Sequence, residues 1–80
     1  MTVIPEQVRA ARGLVNWSAR QLAEAAKLGL STVQRFEGGG SITAANLAAI
    51  RAVLEAAGVQ FIAENGGGAG VRLAKPASGE

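Results

Sequence analysis

The side chains in this 80-residue sequence that could do chemistry are hydrogen-bond donors and charged groups, and they favour binding over catalysis. The chain contains no histidine, no cysteine and no aspartate, so its six glutamates are the only acidic side chains. It therefore offers no thiolate nucleophile, no Cys-based zinc site and no histidine general base. Neither Glu55 nor Glu64 has a second carboxylate with which to share acid–base work. We expect neither an enzyme nor a site for a metal ion or cofactor.

The most informative polar side chains lie close together between residues 30 and 37. Ser31, Gln34 and Arg35 share one face at helical spacing, whereas Val33 and Phe36 fall on the opposite face. The apolar face predicts packing against a core, which leaves the polar side chains directed outward. Such an outward face can form directional hydrogen bonds with a partner molecule.

The positive charge is concentrated in the same half of the chain. The net charge is only +2, and the pI of about 10.0 reflects the lack of any His, Cys or Tyr that would titrate between glutamate and lysine. Within the first 35 residues, Glu6 and Glu24 are outnumbered by cations, which predicts a locally basic surface. These cations are Arg9, Arg12, Arg20, Lys27 and Arg35.

Short helices must position these side chains. Alanine, the best helix former, accounts for 17 residues and leaves 22 larger apolar side chains for a small core. Pro5 suits the first position of a helix, Ser18 and Gln21 have the spacing of a capping box, and Thr43 suits a cap. The pattern predicts helices over 5–14, 19–27, 30–37 and from the Thr43 cap to 57, with Gly58 as the stop.

The remainder of the chain is β-prone. Residues 59–64 and 71–75 read as strands, with the hairpin signal Asn65-Gly66 between them. The glycine-rich run over 66–70 lacks the spacing and the following helix of a phosphate-binding loop. Since a lone hairpin is marginally stable in water, its apolar face either covers the fourth helix or joins a strand of a second subunit. We divide the chain into a helical domain (1–58), a hairpin extension (59–75) and a flexible tail (76–80).

The second and third predicted helices, joined by a three-residue turn, form a helix-turn-helix by spacing alone. Leu22 and Ala23 lie in the first of them, and Val33 follows ten positions after the alanine. The second ends in Glu37, which is followed by Gly38 and Gly39. In this pattern the sequence closely resembles the phage repressor and Cro family, also called the XRE family, over roughly residues 5–58. The resemblance implies a mainly α, repressor-like fold of four to five short helices, here with a C-terminal β-hairpin.

The resemblance also implies which residues meet double-stranded DNA. The second helix of the motif would read base edges in the major groove, with Arg35 bonding to guanine, Gln34 to adenine and Ser31 to either a base or a phosphate. The implied base-reading set is Leu30, Ser31, Thr32, Gln34 and Arg35. The implied phosphate-contacting set is Ala19, Arg20, Lys27, Gly39 and Ser41.

The sequence departs from the family pattern at two positions. Lys27 occupies the turn position usually held by glycine, so either it accepts a left-handed conformation or the turn is rearranged. Ala19 stands where the family often has a polar residue that contacts phosphate, and only its backbone N–H could do so here.

Two further side chains, Arg12 and Trp17, have two interpretations each. Arg12 and Glu37 match a family pair that forms a structural ion pair, although Arg12 could instead face a phosphate. Trp17 could stack on bases, but its position before the cap of the second helix favours a role in the core.

The sequence therefore predicts a DNA-binding transcriptional regulator, acting as a repressor on a pseudo-palindromic operator. Because one recognition helix reads only a half-site, we expect a homodimer. Its predicted interface is Val59, Phe61, Ile62, Val71 and Leu73. The alternative is the antitoxin of a toxin–antitoxin pair, which would bind a toxin and regulate its own operon. The absence of a long apolar run and of a signal-peptide pattern predicts a soluble, cytoplasmic protein with no membrane contact.

Overall fold

Four α-helices followed by a two-stranded antiparallel hairpin form the architecture of this computed structural model, which describes residues 2–74. The element bounds are α1 Pro5–Val15, α2 Ala19–Ala26, α3 Leu30–Glu37, α4 Ala44–Ala56, β1 Val59–Ile62 and β2 Gly70–Leu73. The predicted mainly α fold with a C-terminal hairpin is confirmed. The tail predicted over 76–80 lies outside the described residues.

Local sequence signals explain where the helices begin. Pro5 is the first residue of α1, where a missing N–H costs no helical hydrogen bond. The Oγ of Ser18 accepts a hydrogen bond from the Gln21 N–H at 3.0 Å, and the Gln21 Oε1 accepts one from the Ser18 N–H at 2.8 Å. The predicted capping box of α2 is therefore present. At α4 the Thr43 Oγ1 accepts from the Asn46 N–H at 3.1 Å, as expected for a cap.

Residues in the left-handed conformation end the first two helices. Asn16 follows α1 with φ 60°, and Lys27 follows α2 with φ 59° and ψ 43°. Lys27 therefore takes the backbone conformation for which glycine is preferred, and the turn between α2 and α3 is not rearranged. This conformation also ends α2 at Ala26, one residue before the predicted boundary.

The core lies where the four helices meet. Helix α2 packs on both α3 and α4, and its Leu22 is fully buried together with Val33 of α3 and Ile50 of α4. Ala23 is also buried, and its small side chain lets α2 and α3 approach closely. Trp17 is half-buried and packs against this cluster, in agreement with the core role favoured by the sequence.

The hairpin covers the helices of its own chain, where it contacts both α1 and α4. Val59 lies opposite Leu73 and Phe61 lies opposite Val71, so these four side chains share one face of the sheet. Val59 and Phe61 are buried in the protomer's core, which leaves them no free surface for the dimer contact predicted from the sequence. Val71 is half-buried against the core, whereas Leu73 remains 54% exposed.

Gln7 is a buried polar residue that joins α1 to the loop end of the hairpin. Its Nε2 donates hydrogen bonds to the carbonyl oxygens of Ile62 at 3.1 Å and Gly70 at 2.9 Å. Its Oε1 accepts a hydrogen bond from the Ile4 N–H at 3.0 Å. Both amide donors and the amide oxygen thus have partners, as a buried carboxamide requires, and the hairpin is tied to the start of α1.

Strand β1 is shorter than predicted because Glu64 folds back into the loop. One oxygen of its carboxylate accepts hydrogen bonds from the N–H groups of Gly66 at 3.0 Å and Gly68 at 3.1 Å. Both glycines have positive φ angles, 98° and 93°, which residues with side chains rarely adopt. The N–H groups of the loop therefore donate to the Glu64 carboxylate, and the segment forms the turn that the sequence predicts. Lys75, the predicted end of the second strand, lies outside the described residues.

Candidate nucleic-acid interface

Helix α3 has one apolar face and one polar face. Val33 and Phe36 are buried on the side that meets α1 and α2. The outward residues are the exposed Ser31, Gln34 and Arg35 and the half-buried Leu30 and Thr32. The structure thus brings together on one surface the five residues that the sequence assigned to base reading.

The turn between α2 and α3 fixes the direction of the exposed helix. The Leu28 N–H donates to the Ala23 carbonyl at 2.9 Å, which closes the end of α2. The Thr32 N–H donates to the Gly29 carbonyl at 3.1 Å, which opens α3. Backbone hydrogen bonds at both ends of the turn, together with the close approach at Ala23, therefore hold α3 in one orientation on the core.

Two arginines of α1 hold the C-terminal end of α3. Arg12 donates from Nε and Nη2 to the two carboxylate oxygens of Glu37, at 2.7 and 2.8 Å, and from Nη1 to the Trp17 carbonyl at 3.0 Å. Arg9 donates from Nη1 to the backbone carbonyl of Glu37. The Glu37 side chain is only 9% exposed, and its hydrogen bonds with Arg12 raise the pKa of that guanidinium. Of the two roles considered for Arg12, the geometry is that of a structural ion pair.

The residues expected to contact phosphate lie around α3 in two groups. Ala19 is the half-buried first residue of α2, Arg20 next to it is exposed, and Lys27 is exposed at the opposite end of that helix. Gly39 and Ser41 belong to the exposed loop after α3, where Gly39 has φ 98°. In chain order, the cations Arg20 and Lys27 therefore precede α3, and the backbone of Gly39 and the hydroxyl of Ser41 follow it.

A cleft of about 270 Å³ lies between the end of α3 and the start of α4. Its lining residues are Thr32, Arg35, Ser41, Ile42, Thr43 and Asn46. The cleft places Arg35 of the base-reading set beside Ser41 of the phosphate set. Asn46 was not assigned a role from the sequence, although a polar side chain in the first turn of an alanine-rich helix was an available signal.

Comparison with known protein families identifies this arrangement. A family model described as helix-turn-helix, the XRE-type domain, matches residues 8–61, well over half of the chain. The chain belongs to the XRE family. A search of curated proteins gives no match to an individual protein. As a member of the XRE family, the chain is a DNA-binding transcriptional regulator, and α3 stands in the place of the recognition helix.

The chemistry that this XRE protein presents is recognition by charge and hydrogen bonding. Within residues 2–74 no three His, Cys, Asp or Glu side chains are grouped as a metal site would require. None of the helices in the same range has the length and hydropathy needed to span a bilayer. The polar face of α3, the flanking cations and the polar cleft are the features of the XRE domain that a nucleic acid would meet.

Proposed function

We propose that this XRE protein is a sequence-specific transcriptional repressor that acts in the cytoplasm as a homodimer on a pseudo-palindromic operator. The observation that carries the proposal is the polar, outward face of α3, which exposes Ser31, Gln34 and Arg35 on a helix anchored by buried Val33 and Phe36. A helix of this kind can enter the major groove with its polar side chains against the base edges.

Three of the outward side chains of α3 suit a particular base. The Arg35 guanidinium can form two hydrogen bonds with guanine, and the Gln34 carboxamide can form two with adenine. Ser31 suits a base or a phosphate, and Leu30 suits the methyl group of thymine. Thr32 lies at the margin of the face, where its hydroxyl borders the cleft. The proposed operator half-site therefore contains a guanine opposite Arg35.

Phosphate contacts would position the helix and supply most of the salt-dependent affinity. Arg20 and Lys27 offer exposed cations, Ala19 offers a backbone N–H at the start of α2, and Gly39 and Ser41 offer polar groups after α3. Few positive charges remain for this purpose because Arg12 is bound to Glu37. Modest non-specific affinity is the expected consequence for one protomer.

A homodimer would present two recognition helices to a two-fold operator, about 34 Å apart. On the hairpin, Leu73 offers an exposed apolar side chain near the end of β2, next to the half-buried Val71 on the same face. Ile62 is half-buried on the opposite face. We place the dimer contact at Leu73 and Val71; Ile62 takes part only where the partner also covers the opposite face of the hairpin. A mass of one chain in gel filtration or scattering at tens of micromolar would contradict the dimer.

Selection of bound sequences from random DNA, at two salt concentrations, tests the proposal. We expect an enriched half-site repeated in inverted orientation. Arg35→Ala should weaken binding by about 1–3 kcal/mol and relax the preference at one base pair. Arg20→Ala should weaken binding to all sequences alike and lower the salt slope by about one. Failure to enrich any half-site would refute the proposed function.

We also propose that the protein is not an enzyme and uses no cofactor, since its sequence holds no histidine, cysteine or aspartate and none of its glutamates is paired for acid–base work. The exposed Leu73 also supports the antitoxin alternative, because a toxin could cover the same strand. Co-purification of a second, different chain in place of a homodimer would favour the toxin partner.

A further inference from the structure

Gly40 lies directly beneath the side chain of Arg35. Its N–H donates to the Arg35 carbonyl at 2.8 Å, which brings the loop after α3 back against the last turn of the helix. A Cβ atom at position 40 would lie 2.6 Å from the Cγ of Arg35, 3.4 Å from its Cδ and 2.9 Å from its carbonyl oxygen. No side chain can therefore be added at Gly40 unless the Arg35 side chain moves and the backbone at the end of α3 or in the loop shifts as well.

The two neighbouring glycines, Gly38 and Gly39, do not make room for the Arg35 side chain. Gly39 has φ 98°, a backbone conformation that disfavours side chains, but a Cβ there would meet no atom within 4 Å. A Cβ at Gly38 would meet only backbone carbonyl oxygens, the nearer at 3.4 Å, which is an ordinary contact. Space for the Arg35 side chain is thus a requirement of Gly40 and not of the glycine run as a whole.

The direction of the Arg35 side chain follows from this contact. Its aliphatic part rests on Gly40, and the residue lines the cleft together with Thr32, Ser41 and Asn46. Within residues 2–74 its guanidinium takes part in neither of the two ion pairs, so its charge is available to DNA. A long side chain held along one surface loses less freedom on binding than one that must be ordered from solution.

We propose that Gly40 is a positioning residue that determines operator specificity through Arg35. By lacking a side chain, Gly40 gives the Arg35 stem a place to lie and thereby sets where the guanidinium meets the base pairs. This inference rests on the proposed function, in which Arg35 contacts a base.

A double-mutant cycle tests the proposal, with Gly38→Ala as the matched control for adding one methyl group to the same loop. Operator binding is measured for the wild type, Gly40→Ala, Arg35→Ala and the double variant, on the selected operator and on each of its single-base changes. Gly40→Ala should weaken binding about tenfold and relax the preference at the base pair that Arg35→Ala affects. In the Arg35→Ala background, a Cβ at position 40 still meets the carbonyl oxygen of residue 35 at 2.9 Å, so the second substitution should cause a smaller loss of affinity that is the same on every single-base change of the operator. Gly38→Ala should leave the base preference unchanged.

Two results would overturn the role of Gly40. One is a Gly40→Ala variant that keeps the wild-type preference at the Arg35 base pair. The other is an equal loss of affinity from Gly40→Ala whether or not Arg35 is present. A wild-type protein that selects no half-site would instead refute the proposed function, so the two failures are distinguishable.

A second measurement applies to the wild-type protein and does not depend on the folding of any variant. Nuclear Overhauser effects between the Gly40 Hα and the Arg35 Hγ protons should be present in the free protein and in the operator complex. Their absence from the complex would overturn the proposal, because Arg35 would then bind DNA from a position that Gly40 does not set.

Discussion

Breaking the ion pair between Arg12 and Glu37 should cost far more stability than breaking the pair between Arg51 and Glu55, and one isosteric change made at each glutamate measures the difference. Glu37 accepts hydrogen bonds from Arg12 at 2.7 and 2.8 Å with a side chain that is 9% exposed. Glu55 accepts one bond from Arg51 at 2.9 Å on the outside of α4, where its side chain is 45% exposed. Glu→Gln removes the charge at either site and keeps the shape.

At position 37 the new NH₂ group would face a guanidinium that can only donate, so one of the two bonds is lost. A hydrogen bond to a charged group contributes about 1.5–3 kcal/mol, and a poorly solvated cation left without its anion adds to the loss. We expect Glu37→Gln to lower the free energy of unfolding by about 3 kcal/mol. In a domain of this size that corresponds to a Tm lower by roughly 12–24 °C.

At position 55 the expected loss is less than about 0.5 kcal/mol, since solvent screens an exposed pair four residues apart on a helix. Urea and thermal unfolding followed by circular dichroism measure both variants, and unchanged m values would show that the denatured states are comparable. Equal losses for Glu37→Gln and Glu55→Gln would refute the reasoning, because burial and bidentate geometry would then have no effect on the strength of the pair.

Four further substitutions test the attachment of the hairpin and the backbone conformation of helix α1 and the turns. Gln7→Leu should lower the free energy of unfolding by about 2 kcal/mol, because it removes two hydrogen bonds to the hairpin and one to the start of α1. Hydrogen exchange should accelerate at the amides of β1 and β2. Protection of these amides equal to that in the wild type would contradict this prediction. Gly13→Ala should raise the free energy of unfolding by about 0.5–1 kcal/mol, since Gly13 lies inside α1 and a Cβ there meets no atom within 4 Å. Gly58→Ala should lower it, because Gly58 has φ 108°. The Tm values of the two variants should therefore shift in opposite directions. Lys27→Gly should stabilise the protein by about 1 kcal/mol, because glycine accepts the left-handed φ at this position without strain. It should also weaken binding to all DNA sequences alike, because the lysine charge is lost. A loss of affinity that depends on the identity of one base pair would argue against a phosphate contact at this position.

The local elements of the fold were predictable because their signals lie within a few residues of one another. The bounds of α3 agree with the predicted residues 30–37, and the caps at Ser18 and Thr43 form the predicted hydrogen bonds to residues three positions later. The polar face of α3 follows from the same short-range periodicity. The resemblance to the family rested on the residues of the motif, Leu22, Ala23, Val33 and Glu37, and the match over residues 8–61 confirms it.

For contacts between distant parts of the chain, the sequence was compatible with more than one arrangement. The sequence left the hairpin free to cover its own helices or to join a second subunit, and burial of Val59 and Phe61 shows that it packs on its own chain. Lys27 was likewise compatible with two turn geometries. Its left-handed φ of 59° became clear only with both flanking helices in place.

By itself, the sequence determined the helices, their caps and the outward polar face of α3, since each depends on neighbouring residues and on a repeating period. The family was identified by the resemblance of the motif residues to a known pattern. The tertiary structure alone decided the contacts of Gln7, which reaches a carbonyl 63 positions away, and the space at Gly40, which one of three adjacent glycines reserves for Arg35. The physical reason is that a hydrogen bond or a steric contact between separate segments depends on how those segments are packed. Local propensity carries no information about that packing.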